Sequence, residues 1–260
     1  MPKQRLDALL AERGLFDSRS RAAAAVLAGD VRLGSERLPA HKPGQLVAED
    51  VPVAVAEAPP YVSRGGVKLA NGLDALGIDP DGLRCVDVGA STGGFTDCLL
   101  QRGAVEVACV DVVYGELHWR LRNDPRVTVI ERVNARALEP AQLPWPPDLV
   151  TVDVSFISLT KVLPAVLAAT AERFDCLALV KPQFELGRAR VGRGVVHDPG
   201  DRREAILGVA VSARDLGLAV RGFAASGLPG PKGNIETFVW CGREGPEVGD
   251  LEAAIEAVEA

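Results

Sequence analysis

The sequence predicts an α/β protein, in which a doubly wound parallel sheet forms most of the chain and a smaller α+β domain precedes it. From Arg84 onward, short apolar runs alternate with helical patterns, which is typical of parallel strands joined by helices. The first run leads into a glycine-rich turn, Asp87 to Phe95, and a helical pattern follows it. The N-terminal part differs in charge, since residues 1–45 carry eight basic and five acidic residues in a chain of net charge -6.

The N-terminal segment begins with two predicted helices. Apolar residues at helical spacing mark the first helix, at Leu6, Leu9 and Leu10. Gly14 can end this helix, and Asp17 or Ser18 can cap the next one. Arg19 and Arg21 stand in the first turn of the second helix, where the helix dipole disfavours cations. An anionic partner would compensate these two arginines.

Short strands and a linker follow the helices. Residues 31–39 indicate a hairpin, and the alternating valines of residues 51–55 indicate a further strand. The prolines that come next cannot continue a helix or a central strand. We therefore predict an N-terminal domain at residues 1–57, a linker at 58–66 and a larger domain at 67–260.

The larger domain carries the alternating pattern. Predicted strands occupy residues 84–88, 106–111, 126–130, 148–154 and 176–181, and a helix spans about 93–102. A helical pattern at 205–216 is followed by late strands at 219–225 and 235–241. The turn at 231–233 between the late strands predicts an antiparallel edge.

Ionisable residues lie around this predicted sheet, and most of them adjoin the end of an apolar run: Lys68, Asp153, Lys181 and Glu236. Ligands of open parallel sheets bind outside the carboxyl ends of the strands, so we expect these residues to converge there. The turn from Asp87 lacks the spacing of the dinucleotide fingerprint, and its leading acid suits a ligand with an amino group. S-adenosylmethionine has such a group, and Asp111 can accept hydrogen bonds from its ribose hydroxyls.

Composition favours a cytoplasmic protein that uses neither a membrane nor a metal. Charge or proline interrupts each apolar run before the roughly 20 residues that a membrane span requires, and the charged N-terminus lacks a secretory signal. Five dispersed cysteines without C-x-x-C spacing indicate buried free thiols. The three histidines are equally dispersed, so we expect no metal site.

The segment from Lys3 to Val55 resembles the alpha-L RNA-binding module of a small-subunit ribosomal protein. The resemblance rests on the runs Arg5-Leu-Asp7, Ser18-Arg-Ser-Arg-Ala22 and Gly29-Asp-Val-Arg-Leu33. It implies contacts with structured RNA, for which the candidates are Arg5, Arg19, Arg21 and Arg32. Phosphate contacts of this kind supply affinity without reading sequence, so the module would position a substrate. A solvated basic face is the alternative.

Nearly the whole chain resembles the TlyA family. The resemblance rests on the runs Ser63 to Leu69, Asp87 to Phe95, Asp111 to Gly115, Asp153 to Leu159 and Val180 to Glu185. It implies a Rossmann-like, FtsJ-like methyltransferase domain. It also implies S-adenosylmethionine-dependent 2'-O-methylation of cytidine in 16S or 23S ribosomal RNA, or in both, within ribosomal subunits. Some members of the family carry a haemolysin label.

The patterns and the resemblance together give the candidate site residues. The family's catalytic set falls on Lys68, Asp153, Lys181 and Glu236. The cofactor candidates are Asp87, Gly89, Ser91, Thr92, Gly93, Gly94, Phe95, Asp111 and Asp153. Further RNA candidates are Arg64 and three arginines of a glycine-rich loop expected over the RNA backbone, Arg188, Arg190 and Arg193.

Methyl transfer to a ribose hydroxyl requires that the hydroxyl be aligned and its proton removed. We assign Lys181 as the base and Asp153 to a position near the cofactor. Lys68 and Glu236 would orient the hydroxyl. Burial and a neighbouring Lys68 favour a neutral amine on Lys181, whereas nearby carboxylates favour the charged ammonium. A charged Lys181 that stabilises the developing alkoxide is therefore an open alternative, and so is an ordinary ion pair between Asp153 and Lys181.

Two other functions stay open. A membrane-active haemolysin would follow the family's label, although the sequence contains no membrane segment or signal to support it. A non-catalytic RNA-binding factor for ribosome assembly would be indicated by loss of the cofactor turn or of one of the four ionisable residues. Neither loss occurs.

Overall fold

The computed structural model describes residues 3–56, 59–192 and 194–259, without the side chains of residues 188 and 189. The chain divides into two compact units, residues 1–59 and residues 60–260. This division falls inside the predicted linker, of which position 58 lies outside the described residues, as does position 57 before it. The last three residues predicted as linker, 64–66, already belong to a helix.

The N-terminal unit contains two helices and several short strands. In chain order they are β1 (Lys3–Arg5), α1 (Leu6–Glu12), α2 (Arg19–Ala28), β2 (Val31–Leu33), β3 (Leu38–Pro39), β4 (Leu46–Ala48) and β5 (Val53–Val55). β2 pairs antiparallel with β3 and with β5, which confirms the predicted hairpin and strand. β1 pairs antiparallel with β4. The sequence does not predict this second pair, because β1 contains no apolar residue.

The two helices of this unit pack through their apolar faces. Leu6 and Leu10 of α1 are fully buried, and Val26 of α2 joins them in the same cluster. The Ser18 hydroxyl accepts a hydrogen bond from the backbone N–H of Arg21 and so begins α2, as the sequence predicts. The unit therefore has a small apolar core of its own.

The larger unit alternates strands and helices, as the sequence predicts. Its elements are α3 (Arg64–Leu76), β6 (Arg84–Val88), α4 (Gly94–Gln101), β7 (Glu106–Asp111), α5 (Trp119–Arg122), β8 (Val127–Glu131), β9 (Leu149–Val152), α6 (Leu163–Ala168), β10 (Asp175–Val180), α7 (Pro182–Glu185), α8 (Arg188–Val191), α9 (Pro199–Asp215), β11 (Ala219–Ala225), β12 (Thr237–Gly242) and α10 (Leu251–Glu259). Short 3-10 helices lie at Ala135–Ala137, Pro140–Gln142 and Leu159–Lys161.

These strands form a seven-stranded sheet in the order β11-β12-β10-β9-β6-β7-β8. The five strands from β10 to β8 are parallel, which confirms the doubly wound sheet, and the chain order reverses between β6 and β9. The predicted antiparallel pair also forms at one edge of the sheet, with β12 between β10 and the outermost strand, β11. Because β12 runs opposite to β10, its first residue, Thr237, lies at the carboxyl end of the parallel strands, opposite Val180.

Helices cover both faces of this sheet. On one face, α9 and α10 contribute buried side chains such as Ile206 and Ile255. On the other face, α3 and α4 contribute Leu69 and Leu99. The central strands are consequently apolar on both sides, as is usual for parallel strands covered by helices.

The cysteines belong to these cores. Cys85, Cys98, Cys109, Cys176 and Cys241 are all buried free thiols, as predicted. Burial raises the pKa of the Cys85 thiol to about 12 and that of Cys98 to about 11, so both stay protonated and pack as small apolar groups. Through the described parts of the chain, no helix has both the length and the apolar character needed to cross a membrane.

Candidate active site

The four candidate catalytic residues lie on separate elements and meet at one edge of the sheet. Asp153 follows β9, Lys181 follows β10 and Glu236 precedes β12. Lys68 lies on α3. All four line one cavity of about 580 Å³. The topology therefore brings together residues that are as far as 168 positions apart in the sequence.

Lys68 and Glu236 form an ion pair inside the larger unit. The two residues are only 7% and 1% exposed, so both charges are almost removed from water. Gly72, one turn after Lys68, lets α3 pack closely against β12, because a Cβ at that position would lie 2.7 Å from the ring of Phe238. Among the described residues, none donates a hydrogen bond to Glu236 Oε1. That oxygen is itself buried.

Lys181 contacts two residues of the loop after β9. Its Nζ lies 2.7 Å from Asp153 Oδ1 and donates a hydrogen bond of 2.9 Å to Ser155 Oγ. The contact with Asp153 lies outside hydrogen-bond geometry, so Oδ1 accepts no hydrogen bond from the described residues. Lys181 is thus held in place by a hydroxyl and by an ion pair with a carboxylate.

The glycine-rich turn between β6 and α4 packs closely against the chain itself. Gly89 has a φ of +86°, and a Cβ there would lie 2.6 Å from the carbonyl oxygen of Asp153. A Cβ at Gly94 would lie 2.1 Å from Ser63 Oγ. Gly89 and Gly94 are both among the cofactor candidates. In the structure, contacts with neighbouring segments already require both of them.

Asp87 is buried under the turn and lines neither the first cavity nor a second one that adjoins it. Its Oδ2 accepts hydrogen bonds from Thr96 N at 2.9 Å and from Thr96 Oγ1 at 2.7 Å. Complete burial raises the pKa of Asp87 to about 7. Gly93 also stays outside the cavities, against Leu121. These two cofactor candidates therefore line neither cavity.

A second cavity of about 480 Å³ adjoins the first, and both are lined by Gly89, Ser91, Asp153, Ser155 and Phe156. Asp111 lines the second cavity, and its carboxylate accepts hydrogen bonds of 2.8 Å from Ser91 N and Val113 N. Glu116, which sequence reasoning missed, lines it as well and accepts a hydrogen bond from Ser91 Oγ. Thr92, Gly94 and Phe95 line the first cavity only.

Phe156 was not among the candidates, although it lies in the run Asp153 to Leu159 on which the family resemblance partly rests. It lines both cavities, and its side chain is 91% exposed. Its φ of +66° is unusual for a residue other than glycine. The ring lies 5.2 Å from that of Phe184, which follows Lys181 by three positions. A strained backbone thus presents an aromatic ring to the solvent beside the ion pairs.

Glu185 is a further residue that the sequence did not single out. Its Oε2 accepts a 2.6 Å hydrogen bond from Ser158 Oγ, and its Oε1 accepts one of 2.9 Å from Leu159 N. Burial raises the pKa of this carboxyl group. Glu185 therefore joins α7, which begins after Lys181, to the loop that carries Asp153.

The arginine candidates of the N-terminal unit have partners within that unit. Arg5 and Arg19 both contact the buried Asp7, at 2.8 Å and 3.4 Å. Arg21 pairs with Asp17 at 2.6 Å. The anionic partner expected at the start of α2 is thus supplied by the chain itself. A fourth candidate makes a backbone contact, from Arg32 to the carbonyl of residue 37 at 3.4 Å.

Of the arginine candidates in the larger unit, Arg64 lines the first cavity and donates to the carbonyl oxygen of Pro229 at 3.2 Å. Arg190 pairs with Glu204 and Asp201. These pairs direct its guanidinium towards α9. Arg193 and the side chain of Arg188 lie outside the described residues.

Comparison with known proteins gives consistent matches. The family model of the FtsJ-like methyltransferases matches residues 61–243. The 16S/23S rRNA (cytidine-2'-O)-methyltransferase TlyA of Mycobacterium tuberculosis is 49% identical over 241 residues, which cover 92% of this chain and 89% of that protein. Hemolysin A of Brachyspira hyodysenteriae is 38% identical over 89% of this chain and 97% of its own length.

A solved structure of a protein from Streptococcus thermophilus, named as a hemolysin, superposes with a TM-score of 0.76. It is 37% identical and covers all of this chain and 95% of its own. The chain therefore belongs to the FtsJ-like methyltransferases and, among them, to the TlyA family.

Proposed function

We propose that this protein transfers a methyl group from S-adenosylmethionine to the 2'-hydroxyl of cytidine in ribosomal RNA, in the 16S molecule, the 23S molecule or both. One observation carries the proposal. Two ion pairs, Lys68–Glu236 and Lys181–Asp153, line one cavity, and that cavity shares a wall with a second one at the glycine-rich turn. This arrangement offers adjoining places for a cofactor and for an acceptor hydroxyl.

The residues present fit S-adenosylmethionine. Asp153 lies at the wall between the cavities, and its carboxylate would accept a hydrogen bond from an amino group. In the second cavity, the carboxylates of Asp111 and Glu116 can accept hydrogen bonds from ribose hydroxyls. When bound, this cofactor supplies an electrophilic methyl group on a sulfonium.

The protein's own residues would align the acceptor. The Glu236 carboxylate would take a hydrogen bond from the ribose hydroxyl, and Lys68 holds the carboxylate in place. Ser155 fixes the direction of Lys181 Nζ. A group so constrained keeps the reacting atoms near their reactive geometry, which is where much of the rate increase of such reactions arises.

Lys181 would serve as the base, in which case its neutral amine would remove the proton of the hydroxyl. Its position between Asp153 and Ser155 also suits the alternative, in which the ammonium stabilises the developing alkoxide. An arginine variant distinguishes the two roles, because a guanidinium stays charged and cannot accept the proton. Activity retained in Lys181→Arg would favour the electrostatic role.

The N-terminal unit would hold the ribosomal RNA through the alpha-L module. The side chains of Arg5, Arg19 and Arg21 are more than half exposed despite their carboxylate partners, so they can still contact phosphates. Phe156 would receive an unpaired base, because exposed aromatic rings stack on nucleobases in single-stranded RNA. The partner would accordingly be RNA within ribosomal subunits.

The test is methyl transfer from radiolabelled S-adenosylmethionine to separated ribosomal subunits and to whole ribosomes. We expect label on ribose, lost by about 100-fold or more in Lys181→Ala. Lys161→Ala removes an exposed lysine from the same unit and should transfer normally. Label on a base would contradict the proposed acceptor. Cofactor binding without label on any RNA would favour an assembly factor that binds RNA without catalysis.

A further inference from the structure

A buried hydrogen-bond network connects the last turn of α10 to the start of β12. The Glu259 side chain is only 3% exposed. Its Oε1 accepts a 2.6 Å hydrogen bond from Thr237 Oγ1, and its Oε2 accepts one of 2.8 Å from Arg202 Nε. Each carboxylate oxygen therefore holds a different segment of the chain.

The first of these contacts lies directly behind the candidate active site. Thr237 immediately follows Glu236, and both residues are 1% exposed. Successive side chains of a strand point to opposite faces, so Glu236 can face the cavity while Thr237 faces Glu259. Thr237 also pairs with Val180, the residue before Lys181. Fixing Thr237 thus fixes the backbone beside both ion pairs.

The second contact reaches a segment that borders the cavity. Arg202 donates a hydrogen bond of 3.0 Å to the carbonyl oxygen of His197. Asn234 joins this segment to the residues before β12, since it accepts from Val196 N at 2.9 Å and donates to Gly194 O at 2.8 Å. Gly194 and Asn234 both line the first cavity.

We propose that Glu259 is a positioning residue for methyl transfer. Through Thr237 and Arg202 it holds Glu236, and with it Lys68, in register with Lys181, without touching the reactants. This inference rests on the proposed function and adds α10 to the elements that the reaction needs.

The chain offers a matched control on the same two helices. Arg203 of α9 and Glu256 of α10 form a 3.0 Å ion pair, but their side chains are 40% and 72% exposed. Glu256→Gln should leave the turnover number unchanged, because this pair lies at the surface and reaches no residue of the cavity. This variant shows how a general loosening of the contact between α9 and α10 affects the turnover number.

Thr237→Val keeps the shape of the side chain and removes the hydroxyl. We expect the turnover number to fall roughly tenfold, with less than about a twofold change in KM for S-adenosylmethionine. Thr237→Ser should lose less than Thr237→Val, since it restores the donor to Glu259. Glu259→Gln should also lower the turnover number, as Thr237→Val does.

A double-mutant cycle with Glu236→Gln tests whether the network acts through Glu236. If it does, Thr237→Val will slow Glu236→Gln much less than it slows the wild type. Equal slowing in both backgrounds would overturn the inference. Amide hydrogen exchange provides a readout independent of activity, in which Thr237→Val should exchange faster at residues 234–238 and Glu256→Gln should not.

The outcomes separate the inference from the proposed function. Unchanged exchange in Thr237→Val, or faster exchange with an unchanged turnover number, overturns the positioning role alone. A wild type that transfers no methyl group to any RNA overturns the proposed function, and the inference with it. Faster exchange together with the loss of turnover number in Thr237→Val supports both.

Discussion

Lys68 of α3 and Glu236 before β12 form an ion pair in which both side chains are almost fully buried. Burying a charge costs several kcal/mol, and the partner repays this cost only while it is present. The pair is therefore a point where the stability and the activity of the protein can be separated by experiment.

Single substitutions of this pair should destabilise the fold. Lys68→Met or Glu236→Leu leaves one buried charge without its partner and should lower the free energy of unfolding by about 3–5 kcal/mol. The double variant removes both charges and should recover most of that loss, yet transfer no methyl group. Urea denaturation measures the free energy of unfolding of each variant, and the methyl-transfer assay measures its activity. A double variant as unstable as the sum of the singles would contradict the argument.

Asp87 should make stability depend on pH. Burial raises its pKa from 3.8 to about 7, so the folded state binds this proton more tightly than the unfolded state does. The stabilisation is complete below about pH 4, declines as the pH rises and is lost above about pH 7, by up to about 4 kcal/mol.

Asp87→Asn keeps an oxygen for Thr96 and cannot ionise, so it serves as the reference. The difference in unfolding free energy between wild type and variant should shift in favour of the variant between pH 4 and pH 7. Urea denaturation at several pH values measures it. A difference that stays constant across this range would show that Asp87 does not titrate there.

Phe156→Ala should separate RNA recognition from folding. The ring is almost fully exposed, so its removal should change the free energy of unfolding by less than about 0.5 kcal/mol. Loss of a stacked base costs about 1–3 kcal/mol, which predicts a 5- to 150-fold rise in KM for ribosomal RNA. Phe156→Tyr keeps a ring and should restore most of the affinity. An unchanged KM in the alanine variant would assign the exposed ring another role.

Arg19→Ala should weaken the binding of ribosomal RNA and reduce its dependence on salt. Loss of one phosphate contact lowers the slope of log affinity against log salt by about 1. Arg173→Ala is the control, because Arg173 is an exposed arginine of the other unit that pairs with Glu244. Binding titrations at several salt concentrations give both slopes. Equal slopes for wild type and Arg19→Ala would indicate that Asp7 keeps this guanidinium from the RNA.

The sheet could be predicted because each central strand is an apolar run that the sequence bounds clearly. Residues 84–88 and 106–111 were predicted and are β6 and β7. The position of β12 could not be predicted, since an antiparallel pair is equally consistent with either order at the sheet edge. β1 escaped prediction because backbone pairing with β4, and no apolar pattern, defines it.

The site was predictable where topology alone assembles it. Lys181 and Asp153 follow neighbouring strands, and the rule for parallel sheets places such residues together. Residues that act through loop contacts were missed, as with Glu116 and Glu185, because only the folded loops show what their carboxylates accept. For Asp87 the sequence predicted too much. Its position in the motif made it a cofactor candidate, but its carboxylate is buried under the turn and accepts a hydrogen bond from Thr96.

The position of β12 also determines when, during synthesis of the chain, the cavity can be completed. β11 leaves the ribosome before β12, but its place in the sheet is defined by pairing with β12. Glu236 enters the cavity with the same strand, so until then Lys68 has no carboxylate to neutralise it. A nascent chain that ends before β12 therefore lacks one of the residues that line the first cavity. If Glu236 acts as proposed, activity requires that almost the whole domain has been synthesised.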